Sequence, residues 1–278
     1  MKIDAHQHFW ALERGDYGWL TPDLAPIYRD FGPRDLAPLL VNAGIGGTVL
    51  VQAAPTEAET TYMLSLADAN PTIKGVVGWV DFDSPDAPER IEELSRHKKL
   101  VGLRPMIQDI ADPDWMLSPH LTPAFHTMVE YGLAFDALTL PKHLKNLAAL
   151  LAQHPDLACV IDHGSKPDIA SGALDNWATD MAHLAATTNA RVKLSGLVPE
   201  AAKNWQADDL RPYTDHIIAH FGAARVIWGS DWPVATLASD YARWWTTTED
   251  LLAGLPETDR AAILGLNAAD FYRLEIPL

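Results

Sequence analysis

Two histidines two positions apart, His6 and His8, follow a short apolar stretch at the start of the chain. If that stretch is a strand, side-chain alternation puts both imidazoles on one face, as half of a metal site or a pair of hydrogen-bond donors. A carboxylate, Asp231, stands in Gly229-Ser230-Asp231-Trp232-Pro233, and a further histidine, His163, in Asp162-His163-Gly164. Imidazole nitrogen with carboxylate oxygen is a donor set that suits zinc, and three ligands from His6, His8 and Asp231 leave a position open for water or a carbonyl. His163 can complete an oxygen- and nitrogen-rich pocket with the ligand types that zinc prefers.

Residues this far apart meet only if a fold gathers them. Short runs rich in Val, Ile and Leu predict eight strands, at Lys2–Ala5, Thr48–Ala53, Gly75–Val80, Leu100–Arg104, Leu133–Leu138, Cys159–Asp162, Arg191–Ser195 and Arg225–Gly229. Amphipathic stretches such as Glu57–Ala69, Ala87–Arg96, Leu144–Ala152 and Leu174–Ala186 alternate with them and predict helices packed outside a parallel sheet. No Ser/Gly linker or composition shift divides the chain, so a single α/β domain over residues 1–278 is expected, a (β/α)8 TIM barrel, whose usual size is roughly 250 residues. A doubly wound open sheet is the alternative. Against it, Gly44-Ile45-Gly46-Gly47 precedes a strand, whereas a dinucleotide-binding loop follows one; the glycines suit a tight helix-to-strand turn.

Barrel chemistry collects where strands finish. Here the ends are polar throughout: His6-Gln7-His8, Gln52, Asp81, Arg104, Asp136, Asp162-His163, Lys193 with Ser195, and Ser230-Asp231. In a closed barrel the last strand lies beside the first, so Asp231 can meet His6 and His8. Arg104 and Lys193 read either as donors at the mouth or as partners of Asp81 or Asp136, and His143 as a residue behind the site.

The segments Ile3-Asp4-Ala5-His6-Gln7-His8, Asp162-His163-Gly164-Ser165-Lys166-Pro167 and Trp228-Gly229-Ser230-Asp231-Trp232-Pro233 resemble the amidohydrolase superfamily, in particular its amidohydrolase-2 branch of TIM-barrel hydrolases. Thr48–Ala53 and Val192-Lys193-Leu194-Ser195-Gly196 are similar to its sugar-lactonase group, which includes fuconolactonases and rhamnonolactonases. The resemblance runs from residue 3 to about Tyr272 and implies that His6, His8, His163 and Asp231 form the catalytic cluster. Two-metal members use a carboxylated lysine on strand four and a histidine on strand five. Here those strands offer Arg104 and Asp136, so a binuclear centre is not expected.

The implied activity is hydrolysis of a small sugar lactone to its hydroxy acid by attack of activated water. Asp231 acts as base and His163 supports the oxyanion. One divalent ion, zinc by preference, is held by His6, His8 and Asp231, or the histidines polarise the carbonyl with no metal. Gln52, Arg104, Asp136, Ser195 and Trp232 are the candidates for contacts to the sugar ring. A metal-dependent non-oxidative decarboxylase of the same branch is the alternative enzyme. A barrel that binds without turnover fits less well, since a binder has no need of a base beside polarising groups.

Composition narrows the partners. Lysine plus arginine number 21 against 37 aspartate plus glutamate, a net charge of −16 that opposes nucleic acid and anionic membranes and leaves a small molecule as the expected partner. Oligomeric state is not encoded in any pattern. The single cysteine, Cys159, reads as core, and with no leader-like N-terminus a cytoplasmic location is expected. His216 and His220 lie four apart on an outer helix without the glutamate of a zinc-protease motif, and read as structural. Of the ten tryptophans, Trp10, Trp79 and Trp232 fall by strand ends, where an indole suits a sugar ring.

Overall fold

Strands covered on both faces need apolar side chains on both, and the runs in this chain meet that demand. The computed structural model describes residues 1–275. Its strands are β1 (Lys2–Gln7), β2 (Ile45–Val51), β3 (Ile73–Gly78), β4 (Leu100–Leu103), β5 (Ala134–Ala137), β6 (Cys159–Ile161), β7 (Arg191–Leu194) and β8 (Val226–Trp228). All eight pair in parallel in chain order, and each coincides in place with a run expected from sequence. The helices α1 (Pro33–Ala43), α2 (Glu57–Ala69), α3 (Ala87–Ser95), α4 (Thr122–Glu130), α5 (Leu144–Gln153), α6 (Asp175–Thr187), α7 (Ala207–Phe221) and α8 (Tyr241–Leu251) alternate with them, giving a (β/α)8 barrel. In the glycine cluster, Gly44 has φ +68 and caps α1, as a helix-to-strand turn requires, whereas Gly46 and Gly47 lie inside β2.

Two cores result. Outward-facing strand residues such as Leu50, Val76, Leu103, Phe135 and Val192 pack against the helices. Inward-facing Ile3, Ala5, Val49, Val51, Val77, Val160 and Ile227 fill the lower barrel, closed from below by Ala268, Tyr272 and Leu274. Above that apolar plug the inward positions turn polar.

Main-chain bonds and one side chain close the seam between β1 and β8. His8 N–H donates to Trp232 O at 2.7 Å, and Asp231 N–H to His6 O at 2.7 Å. The buried Asp4 carboxylate accepts from Ser230 N–H at 2.8 Å and from the Tyr241 hydroxyl at 3.0 Å. On β1 the register against β2 shifts between Asp4 and Gln7, so inward Ile3 and Ala5 are followed by His6 and His8, which converge with the groups at the mouth.

Candidate active site

Three imidazoles surround one carboxylate oxygen. The Nε2 atoms of His8, His6 and His163 lie 3.3, 3.8 and 3.9 Å from Asp231 Oδ1. Each ring is held from its other nitrogen. His8 Nδ1 is 2.8 Å from Val51 O, a carbonyl that only accepts, so the proton is assigned to Nδ1 and the lone pair to Nε2. His163 Nδ1 is 2.9 Å from Ser195 Oγ. His6 Nδ1 lies 3.4 Å from Asp162 Oδ1 and 3.1 Å from Lys193 Nζ, while its Nε2 is 3.3 Å from Arg104 Nη1. His6 Nδ1 thus faces both a donor, Lys193, and an acceptor, Asp162; the tautomer with its proton toward Asp162 is the one that leaves the Nε2 lone pair for a metal ion.

The strand ends explain this convergence. His6 and His8 follow the irregularity on β1. Asp231 has φ +56 immediately after β8, and His163 opens a turn after β6 in which His163, Gly164, Ser165 and Lys166 have φ of +55, +54, +61 and +50. Left-handed backbone costs about 1–2 kcal/mol for each non-glycine residue, so the turn needs outside support. The Trp177 indole N–H donates to Gly164 O at 2.7 Å, and the Thr139 and Ser165 hydroxyls meet at 2.9 Å.

Beneath the imidazoles lies a buried layer of charge. Lys193 Nζ is 2.5 Å from Asp136 Oδ2 and 3.0 Å from Asp162 Oδ1, and Arg104 Nη1 is 3.1 Å from Asp162 Oδ2. Burial and Lys193 lower the His6 pKa well below the ordinary value, so this ring is neutral. Burial likewise lowers His163 to about 4. At Asp231 burial opposes ionisation, but His163, His8 and His6 outweigh it and hold the carboxyl below the usual range. Asp162 is held low against its burial by Lys193, His6 and Arg104, whereas at Asp136 burial prevails and raises the carboxyl.

The residues proposed from sequence therefore separate into groups. His8, Arg104, His163 and Asp231 line a cavity of about 200 Å³, with His6 against them. Gln52, Asp136, Ser195 and Trp232 do not line it, in contrast to their expected contact with substrate. Gln52 accepts from the Arg104 guanidinium at 2.9 Å, Asp136 binds Lys193 and the Tyr272 hydroxyl, and Ser195 binds His163. Trp232 is buried against Phe9 and Phe31. Of the two expected bridges, Lys193 does pair with Asp136, but Arg104 pairs with Asp162 while Asp81 is exposed. His143 is buried away from the cavity, its Nδ1 accepting from Leu140 N–H, and His216 bonds Ala178 O on the outer layer. Sequence did not single out Trp19, Gln108 or Lys166, which also line the cavity. They belong to loops without periodicity, and only Lys166 sat inside a quoted motif.

The compact donor trio is His6, His163 and Asp231, whose ligand atoms lie within 4.8 Å of one another. His8 touches the same oxygen at 3.3 Å but falls outside this trio, in contrast to the expected set of His6, His8 and Asp231. The trio suits a metal ion chemically: two neutral imidazoles and an ionised carboxylate, above a layer in which two carboxylates face two cations.

A family model described as amidohydrolase matches residues 3–274. The chain belongs to the amidohydrolase family. It is 46% identical, over 99% of its length and 97% of the relative's, to an L-fucono-1,5-lactonase of Burkholderia ambifaria. It is 34% identical to an L-fucono-1,5-lactonase of Burkholderia multivorans, covering 100% of this chain and 97% of that one. A crystal structure of a Burkholderia multivorans amidohydrolase with bound zinc superposes with a TM-score of 0.93 at 34% identity, covering 99% of this chain and 100% of that one. Among the described residues, no helix of this amidohydrolase is long and apolar enough to cross a membrane.

Proposed function

We propose that this amidohydrolase opens a small sugar lactone, an aldonolactone, to the hydroxy acid. The observation that carries the reading is the convergence of three imidazole Nε2 atoms on Asp231 Oδ1 inside one cavity. Its two full-length lactonase relatives supply the substrate class.

Asp231 is the base. Its ionised carboxylate removes a proton from water as the water oxygen bonds to the lactone carbonyl carbon. The imidazoles of His6 and His163 face the developing oxyanion, and Arg104, fixed by Gln52 and Asp162, supplies positive charge beside it. Collapse breaks the bond from carbonyl carbon to ring oxygen, and the proton on Asp231 passes to the departing alkoxide. A divalent ion, zinc by preference, bound by His6, His163 and Asp231 would polarise the carbonyl oxygen; without it His6 and His163 do so as hydrogen-bond donors from Nε2, their Nδ1 atoms accepting from Lys193 and Ser195. Gln52 and Ser195 position Arg104 and His163, and Asp136 positions Lys193.

The decarboxylase reading needs cations free to hold a substrate carboxylate. Arg104 and Lys193 are both committed to aspartates, which leaves Lys166 as the cavity-lining cation without a carboxylate partner among the described residues, fewer cations than that reading needs. Proton release from a panel of aldonolactones, beside carbon dioxide release from hydroxybenzoates, tests the choice. Acid from the lactones is expected; carbon dioxide alone, or neither product, would overturn it.

A further inference from the structure

Gln108 sits in the short turn Ile107–Asp109 that follows β4. The turn is fixed by the buried Ile107 side chain and by Gln108 N–H donating to Leu138 O at 3.0 Å. The side chain lines the same cavity as His163 and Asp231, and its Oε1 is shielded from solvent with no hydrogen-bond partner among the described residues. Its Nε2 has only a long contact, 3.4 Å, to Asp109 Oδ2. A shielded carbonyl oxygen without a donor is unfavourable, so the group suits an O–H or N–H brought by a ligand.

The half-buried Trp19 also lines the cavity and donates its indole N–H to Ala53 O at 2.7 Å. With its polar edge engaged, it offers carbon surface to the cavity. An apolar face in the same cavity as an amide that both accepts and donates matches a sugar ring, which pairs a C–H face with a rim of hydroxyls. The polar groups first expected to read those hydroxyls, Gln52, Asp136 and Ser195, already have protein partners.

We propose that Gln108 is the specificity-determining residue that reads a pair of neighbouring ring hydroxyls, with the Trp19 indole as the platform for the ring. With the amide turned about its last torsion toward the cavity, Oε1 accepts from one hydroxyl and Nε2 donates to the oxygen of the next. The site thereby selects polyhydroxylated lactones over unsubstituted ones. This deepens the lactonase reading and rests on it.

The test uses steady-state hydrolysis of a polyhydroxylated δ-lactone and of δ-valerolactone, by the native protein and by Gln108→Leu. A second arm measures calorimetric binding of the polyhydroxylated δ-lactam and of δ-valerolactam, which are not readily hydrolysed. The preference in kcat/KM for the hydroxylated lactone is expected to fall about tenfold or more in the variant, mostly through KM, with a matching loss of selectivity between the lactams. Gln108→Glu, of nearly the same shape, keeps the acceptor and restores part of the preference. An equal loss on both lactones, or an unchanged preference, overturns the inference. Native protein that binds the hydroxylated lactam selectively through Gln108 but hydrolyses neither lactone overturns the lactonase reading alone; hydrolysis of neither lactone together with binding of neither lactam overturns both.

Discussion

Gly196 lies so close beneath the His163 ring that a Cβ at this position would stand 2.2 Å from His163 Nδ1. Gly196 has φ +58, in the region that side chains disfavour, and follows Ser195, the partner of that same nitrogen. Glycine therefore makes room for the imidazole while the preceding hydroxyl orients it. Gly196→Ala is expected to displace His163 and lower kcat by about tenfold or more, with a stability loss of about 1–2 kcal/mol from the backbone. Kinetics beside thermal unfolding check this; unchanged kcat in a folded variant would show that His163 need not occupy this position.

Asp231→Asn tests the base. Asparagine tolerates left-handed backbone, so φ +56 does not by itself prevent folding, but its amide cannot take the proton from water. Turnover should fall at least about a hundredfold while circular dichroism stays native. Near-native turnover would remove Asp231 from the chemistry.

The His6, His163 and Asp231 trio makes a metal prediction. Purified protein is expected to carry one zinc or similar ion per chain at most, because Arg104 Nη1, 3.3 Å from His6 Nε2, competes for the same lone pair. Prolonged chelation should lower lactone turnover and added metal should restore it. Full activity in a stripped sample, checked by elemental analysis, would make His6 and His163 direct donors to the carbonyl.

Glu59 gives the fold a pH dependence separate from the chemistry. Its buried carboxylate accepts from Ala53 and Ala54 N–H just past β2, and burial raises its pKa from 4.5 to about 7, with the charge of Asp16 adding to the effect. Because the folded value exceeds the unfolded one, the contribution to stability is fully present below pH 4.5 and is lost as pH rises through about 7. The full effect is about 3 kcal/mol by the relation between pKa shift and free energy. Unfolding midpoints measured between pH 4.5 and 8 should show this downward slope in the native protein and not in Glu59→Gln. Parallel slopes would rule Glu59 out.

Local pattern alone determined the strands, the alternating helices and the polar strand ends. Burial on both faces demands unbroken apolar runs, and a 3.6-residue period marks a helix wherever the run occurs. The four residues that meet at the mouth were legible for the same reason: His6, His8, His163 and Asp231 each stand just past an apolar run. Which polar strand ends reach a substrate was decided only in three dimensions. On β5 and β7, Asp136 and Lys193 point inward but lie deep enough to neutralise each other, and Gln52 and Ser195 meet Arg104 and His163 before they meet the cavity. The shift on β1 and the left-handed turn at His163–Lys166 aim the imidazoles, and neither leaves a periodic trace. Trp19 and Gln108 reach the cavity from loops, whose paths are set by packing against distant strands rather than by the period of their own residues.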